Sequence, residues 1–346
     1  MKKKVAIIFG GCSSEYNVSL VSATSVIRNI NKNKYYVIMI GITPEGDFYL
    51  YDDEIDKIDK NEWLNSSSCK KITISTNRSD HGIIVLETNE IIKIDIVFPI
   101  LHGQNGEDGR LQGLLELVGI KYVGCDMTSS ALCMDKYLAH ELVSSSGILS
   151  PISYLFTKYE TLEKIENKVS NLKYPLFVKP LKAGSSFGIT KILSVKELHK
   201  AINEAFKYDD KIIIEENVDG FEVGCAVLGN KDLIIGEVDE IELEDGFFDY
   251  YEKYNLKTSK IHLPARISEQ ERSRIKETAL KIYKILGCSG FARVDMFYTE
   301  DKKIVFNEVN TIPGCTSHSR YPSMLKQIGI TFETVIDRLI ELGVER

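Results

Sequence analysis

Several things are missing from this 346-residue chain, and each absence removes a class of function. There is no excess of positive charge: 43 Lys and Arg face 50 Asp and Glu, for a formal net charge of −7. A nucleic-acid or membrane-surface partner would normally leave a net basic footprint, so neither is expected, and any anionic ligand must be met by local lysines. No apolar run approaches the roughly 20 residues that span a bilayer. The seven cysteines (Cys12, Cys69, Cys125, Cys133, Cys225, Cys288 and Cys315) are odd in number, scattered, and hold no Cys-x-x-Cys pair. That suits reduced thiols in a cytoplasm rather than a disulfide frame or zinc site, with most of them acting as small buried apolar residues. Internal repeats and long low-complexity segments are also absent.

What is present fits a multidomain enzyme. At 43% hydrophobic the chain can bury large cores, and its length favours two or three domains. The opening Met1-Lys2-Lys3-Lys4 leads into only five apolar residues, Val5 to Phe9, before Gly10-Gly11, so it reads as a first strand and not a secretory leader. Lys4 to Phe9, Val18 to Ile30 and Tyr36 to Ile42 read as strand, amphipathic helix and strand of an α/β sheet. The loop Gly10 to Glu15 lacks Gly-x-Gly-x-x-Gly spacing, and no acidic residue closes the second strand, which argues against a dinucleotide site. Tyr51 to Leu86 reads as an irregular excursion with short strands, and Ile91 to Leu101 as a core strand followed by the Gly-rich loop His102 to Gly109. A first domain is expected to end near Gly124, before helices over Ser129 to Met134 and Asp135 to Ser145. From Tyr174 the pattern becomes a small α+β unit: strand Pro175 to Lys179, strand Ile189 to Ile192, helix Val195 to Phe206, strand Ile212 to Glu215. Glu222 to Leu228 and Leu233 to Val238 look like an antiparallel pair opening a third unit, which continues through a helix over Glu269 to Leu286 to a C-terminal helix from Phe332.

The chemistry concentrates in two stretches, Arg293-Val294-Asp295 and Phe306 to Gly314. Asp295, Glu308 and Asn310 are expected at the ends of two adjacent strands, with Glu308 and Asn310 on one face because strand side chains repeat every two residues. Three such oxygen donors can form a cage for Mg²⁺ that also grips phosphates, and the alternative is a solvated strand edge. Pro313-Gly314 would form a rigid turn bringing backbone N–H groups close to that cage. Lys179 ends an apolar strand just before the Gly/Ser loop Lys182 to Gly188, which can drape N–H groups and hydroxyls over phosphates. Lys136 at a helix start is a weaker phosphate candidate, since a single lysine is more often a solvated surface charge, and Lys253 lies in the aromatic segment Phe248 to Tyr254, whose lack of periodicity suggests a loop that folds over a site. The run Ile212 to Gly220, with Glu222 after it, could seat a purine.

Together these residues resemble the ATP-grasp fold. The motifs Gly10-Gly11-x-Ser13-x-Glu15-x-x-Val18-Ser19, His102-Gly103-x-x-Gly106-Glu107-Asp108-Gly109-x-Leu111-Gln112-Gly113 and Asn307-Glu308-Val309-Asn310-Thr311-x-Pro313-Gly314-x-Thr316-Ser317-His318-Ser319 look like those of the D-alanine:D-alanine ligases and their vancomycin-resistance relatives. The resemblance covers essentially the whole chain. It implies an α/β and α+β multidomain architecture: an N-terminal Rossmann-like domain over 1–124, a central ATP-grasp subdomain over 125–218, and a C-terminal subdomain over 219–346. It further implies a cytoplasmic homodimer using ATP and two Mg²⁺ ions, with Mn²⁺ as an alternative.

In that family a first D-alanine carboxylate takes the γ-phosphate of ATP, and the amine of a second D-amino acid attacks the acyl phosphate. By position, Asp295, Glu308 and Asn310 would ligate metal, and Lys136, Lys179 and Lys253 would hold phosphates with Ser185 and Ser186. Glu215, Glu216, Val218 and Glu222 would bind the nucleoside. Glu15 and His102 would meet the first substrate. Arg293 and the Gly314 N–H would form the oxyanion site beside Ser319, and Ser185, Tyr254 and Glu222 would latch two loops. The chain departs from the common dipeptide ligases at Arg320, where they carry an apolar residue, and at Phe248, where they carry tyrosine. This pair resembles the D-alanine:D-serine ligases, with Asp239 orienting the arginine toward a serine hydroxyl. The alternatives are a surface salt bridge for Arg320, a housekeeping D-alanine:D-alanine ligase, and a nucleotide-binding regulatory protein without turnover.

Overall fold

A computed structural model describes residues 2–182, 184, 187–243 and 259–345. Three sheets follow one another along the chain. The first has seven strands in the order Glu90–Lys93, Gly82–Val85, Lys70–Ile74, Phe48–Tyr51, Tyr35–Ile42, Lys3–Gly10, Ile96–Pro99. Lys3–Gly10 lies parallel to both of its neighbours, and the remaining pairs are antiparallel. Val5 through Phe9 are fully buried, as a continuous apolar run in a parallel strand covered on both faces must be. Helix Tyr16–Asn29 covers one face with Leu20, Ala23, Val26 and Ile27.

The stretch expected as one strand over Ile91 to Leu101 is two. Glu90–Lys93 is an exposed edge strand and Ile96–Pro99 a fully buried one, at opposite ends of the sheet order. Asp95 breaks the run by tying itself to Lys4, whose N–H it accepts at 2.6 Å through its carboxylate while its own N–H meets the Lys4 carbonyl at 3.0 Å. Only Ile94 and Asp95 connect the two strands, so the antiparallel extension must curl back toward the parallel strands.

The second sheet, in the order Thr190–Ile192, Leu176–Pro180, Lys211–Glu216, Ser153–Thr157, includes an opening strand that the sequence pattern did not reveal. Helices Leu162–Val169 and Val195–Ala205 pack on it through Ile165, Val169, Leu198 and Ile202. The third is built on Gly220–Leu228, which pairs along its length with Phe291–Thr299. The expected hairpin partner is short, only Ile234–Ile235; the near end pairs instead with Asp239–Leu243. Helix Glu269–Ile285 packs on this sheet, started by a Ser268/Glu271 capping box. The C-terminal helix Phe332–Val344 returns to the first sheet, placing Val335, Ile336, Leu339 and Ile340 in one core with Val5, Ile7 and Phe98. Among the described residues, no helix is long and apolar enough to cross a membrane.

Candidate active site

Strands Phe291–Thr299 and Ile304–Asn310 pair antiparallel with Arg293 opposite Asn310 and Asp295 opposite Glu308, so all four side chains share one face. Arg293 grips Asp295 in a fork, Nε to Oδ1 at 2.8 Å and a terminal nitrogen to Oδ2 at 2.7 Å. Asn310 donates to the same Oδ2 at 2.9 Å. Glu308 lies 3.8 Å from the Lys136 ammonium. Among the described residues no three His, Cys, Asp or Glu side chains group as a metal site, since the candidate set is two carboxylates and one amide. Its chemistry nonetheless fits Mg²⁺ by donor type, since two carboxylates and an amide supply hard oxygen ligands; in this structure the nearly fully buried Asp295 has both oxygens engaged by Arg293 and Asn310, with Arg320 3.6 Å away.

Arg320 is not a surface residue. Its side chain is 8% exposed, and it donates to Asp239 through Nε at 2.7 Å and a terminal nitrogen at 2.8 Å, and to Glu222 at 2.8 Å. Asp295 stands 3.6 Å away. Burial opposes the guanidinium charge, yet Asp239, Asp295 and Glu222 hold its pKa well above the usual arginine range. The close approach is possible because residue 224 is glycine: a Cβ there would overlap both Arg320 and Asp239, and the Gly224 N–H donates to Asp239 at 2.9 Å.

In the second sheet, buried Lys179 pairs with buried Glu215 on the neighbouring strand, while the other Glu215 oxygen has no hydrogen-bond partner among the described residues. Buried acceptors are normally satisfied, so that oxygen marks a place for a ligand donor. Glu216 accepts the Lys173 N–H at 2.9 Å, and Val218 is half-buried in the following turn. Lys136 opens helix Lys136–Ser145, whose first turn is capped by Asp135 accepting from the Leu138 N–H at 3.1 Å. Lys179, Glu215, Lys136 and Glu308 thus link the second sheet's region to strands Phe291–Thr299 and Ile304–Asn310, with His140 between them bonded to the Asn307 carbonyl at 2.8 Å. Ser185, Ser186, Phe248, Lys253 and Tyr254 lie outside the described residues.

The first sheet contributes the remaining wall. Glu15 is buried at the mouth of helix Tyr16–Asn29, and Gly103 and Gly184 press so closely on its carboxylate that a Cβ on either would overlap it. This brings the N-terminal loop, the His102 loop and the Gly/Ser loop to one point. His102 is buried with both ring nitrogens engaged, Nδ1 with the Ile312 carbonyl at 2.9 Å and Nε2 with Ser22 Oγ at 3.0 Å. Burial lowers its pKa, so the ring is neutral; donating from Nδ1, it accepts the Ser22 hydroxyl at Nε2. Glu107 belongs to a motif visible in the sequence, yet residue spacing gave it no role. It accepts the Gly103 N–H and the Ile312 N–H, both at 2.9 Å. Burial, reinforced by nearby Glu15, pushes its pKa up to about 8. Gly314 lies against Ser319, whose hydroxyl bonds the Thr316 hydroxyl at 2.8 Å and accepts its N–H at 3.1 Å.

Comparison with known proteins decides the lineage. Residues 4–125 match the model for the D-ala D-ala ligase N-terminus, and residues 143–341 match that for the D-ala D-ala ligase C-terminus. The chain belongs to the D-alanine:D-alanine ligase family. The crystal structure of VanG D-Ala:D-Ser ligase from Enterococcus faecalis superposes with a TM-score of 0.93 at 56% identity, covering 99% of this chain and 100% of that one. Vancomycin B-type resistance protein VanB of Enterococcus faecalis is 48% identical, covering 100% of this chain and 99% of the relative. A putative D-alanine–D-lactate ligase of Streptomyces coelicolor is 45% identical, covering 99% and 97%. This ligase is therefore an ATP-grasp enzyme of α/β and α+β domains, an ATP-dependent D-alanine ligase of peptidoglycan precursor synthesis. The relatives' names divide over what is joined to D-alanine.

Proposed function

We propose that this ligase joins D-alanine preferentially to D-serine, through a D-alanyl phosphate. The observation that carries the reading is the buried Arg320, held by Asp239 and Glu222 directly after the Gly314–Ser319 turn. Among the described residues these bonds engage three of the five guanidinium N–H donors, one terminal nitrogen also stands 3.6 Å from Asp295, and a remaining N–H is the proposed partner of a substrate hydroxyl. A buried hydroxyl without a partner costs about 1–3 kcal/mol, and a fixed cation nearby offsets that directly or through water. The likeness to VanG D-Ala:D-Ser ligase supports the same choice. Phe248 is the proposed companion in the second subsite.

The remaining roles follow in order of use. Glu15 receives the first ammonium beside His102. Lys136, Lys179 and Lys253 hold phosphates together with Ser185 and Ser186, while Glu215, Glu216, Val218 and Glu222 hold the nucleoside. Asp295, Glu308 and Asn310 would hold Mg²⁺ ions, which when bound disperse charge on the transferring phosphoryl group. The first carboxylate oxygen forms the bond to phosphorus as the bond to ADP breaks; the second amino group, having released its ammonium proton, then forms the bond to the acyl carbon, gives up a further proton and expels phosphate. Arg293 and the Gly314 N–H stabilise the oxyanion in between, with Ser319 shaping the turn. Ser185, Tyr254 and Glu222 latch the loops that keep water from the acyl phosphate.

The test supplies purified ligase with ATP, Mg²⁺ and equal D-alanine and D-serine, and identifies the dipeptide by mass. D-alanyl-D-serine should predominate. A product dominated by D-alanyl-D-alanine refutes the D-serine preference, and a D-lactate ester as main product when D-lactate is added assigns the enzyme to that branch instead.

A further inference from the structure

The two peptide groups that flank the Ile312 Cα are each held from a single loop. Glu107 accepts the Ile312 N–H at 2.9 Å, and His102 Nδ1 donates to the Ile312 carbonyl at 2.9 Å. The loop is itself closed by Glu107, whose second oxygen accepts the Gly103 N–H at 2.9 Å. It is fastened to helix Tyr16–Asn29 by His102 Nε2 on Ser22, and Gln112 braces it from the next helix, donating to the Gly106 carbonyl at 2.7 Å. Gly103 is the residue pressed against the Glu15 carboxylate, and Ile312 sits two residues from Asn310 and two from Gly314. Ile312 is buried, its bond to His102 is buried and its bond to Glu107 is part-buried, so losing either partner leaves a largely desolvated backbone group short of a hydrogen bond.

We infer that Glu107 is a positioning residue of this ligase: one carboxyl group sets the distance between the first-substrate subsite at Glu15 and the turn that presents the Gly314 N–H. The inference rests on the oxyanion role proposed for Gly314. Glu107 never touches substrate; it acts through the two backbone amides it receives. Neither oxygen is spare, so a side chain with one acceptor oxygen can hold only one of the two segments. His102 holds the carbonyl of the following peptide, Ile312–Pro313, so removing Glu107 frees the Thr311–Ile312 peptide to turn against that remaining anchor and misaims the turn beyond it. A misplacement of about 1 Å in such a group costs on the order of 10²-fold in rate.

The experiment compares Glu107→Gln, Glu107→Asp and Glu107→Ala with the parent by dipeptide formation, and measures ATP binding by calorimetry. Glu107→Ala should lower kcat by about 10- to 100-fold, the range set by losing alignment of an oxyanion donor, with ATP affinity within about twofold of the parent. Glu107→Gln, keeping one acceptor, should fall between, and Glu107→Asp, too short to span both amides, should not recover the parent rate. Parent-like kcat in both Glu107→Ala and Glu107→Gln overturns the positioning role while leaving the ligase reading intact. A loss of ATP affinity that parallels the loss of kcat also overturns it, since that is the signature of general structural damage. If Glu107→Ala is insoluble, Glu107→Gln decides between the same two outcomes. A parent enzyme without D-alanine-dependent ADP release would instead sink the functional reading, and the inference with it.

Discussion

Replacing Arg320 by leucine separates two jobs that the side chain combines. In the parent it neutralises Asp239, whose side chain is 1% exposed and whose other bonded donor among the described residues is the Gly224 N–H. The Arg320→Leu substitution would leave that carboxylate buried with one amide, and removing one partner of a buried ion pair destabilises by about 3–5 kcal/mol. At roughly 2 °C per kcal/mol for a chain of this length, the thermal midpoint should drop by about 6–10 °C. Adding Asp239→Asn should recover much of the loss, because the orphaned charge is then gone, and the double-mutant cycle should report a coupling of at least about 1 kcal/mol. The assay is thermal unfolding of parent, both single variants and the double variant, run beside product analysis from mixed D-alanine and D-serine. The stable double variant is the decisive sample: a product shift toward D-alanyl-D-alanine there reflects lost recognition and not lost folding. An Arg320→Leu midpoint equal to the parent's refutes the buried-pair reasoning. An unchanged product ratio in the double variant removes Arg320 from second-substrate selection.

Two further outcomes follow from neighbouring geometry. Gly103→Ala must place a Cβ at φ +72° and against Glu15, a left-handed conformation that alone costs about 1–2 kcal/mol; kcat/KM for the first D-alanine should fall about tenfold or more while ATP affinity holds, and unchanged kinetics would contradict the packing. At the capping box, hydrogen bonds from the Ser268 hydroxyl and N–H, with Tyr298 and Lys302 adding to them, hold the Glu271 pKa down to about 2 from an ordinary 4.5. A depressed folded-state pKa gives stability that is complete above about 4.5 and lost as pH falls through about 2. The gap in urea midpoint between parent and Glu271→Ala should therefore shrink along that descent, and a gap that widens in acid would be the wrong sign.

Strand placement was legible wherever burial is one-sided or complete. The run Val5 to Phe9 and the alternation around Glu308 and Asn310 each dictate a strand, because apolar periodicity is a local property. The break at Asp95 was not legible, since it comes from a bond to Lys4, 91 residues away. Strand Ser153–Thr157 escaped notice because only one of its five residues is fully buried. The short helix after Ser319 was missed because its buried residues Tyr321, Met324 and Leu325 pack on a sheet that sequence spacing does not reveal.

Residue type alone determined the chemistry on offer: acids and an amide suited to a divalent ion, lysines suited to phosphate, and a cation at Arg320. Donor identity is written in the side chain and needs no fold to be read. Tertiary structure decided the partnerships, burying Arg320 between Asp239 and Glu222, closing Lys179 on Glu215, and placing Glu107 between the backbone amides of Gly103 and Ile312, which lie far apart in the chain. The physical reason is that charge and hydrogen-bond strength depend on what surrounds a group, and those surroundings come from strands and loops distant in the chain.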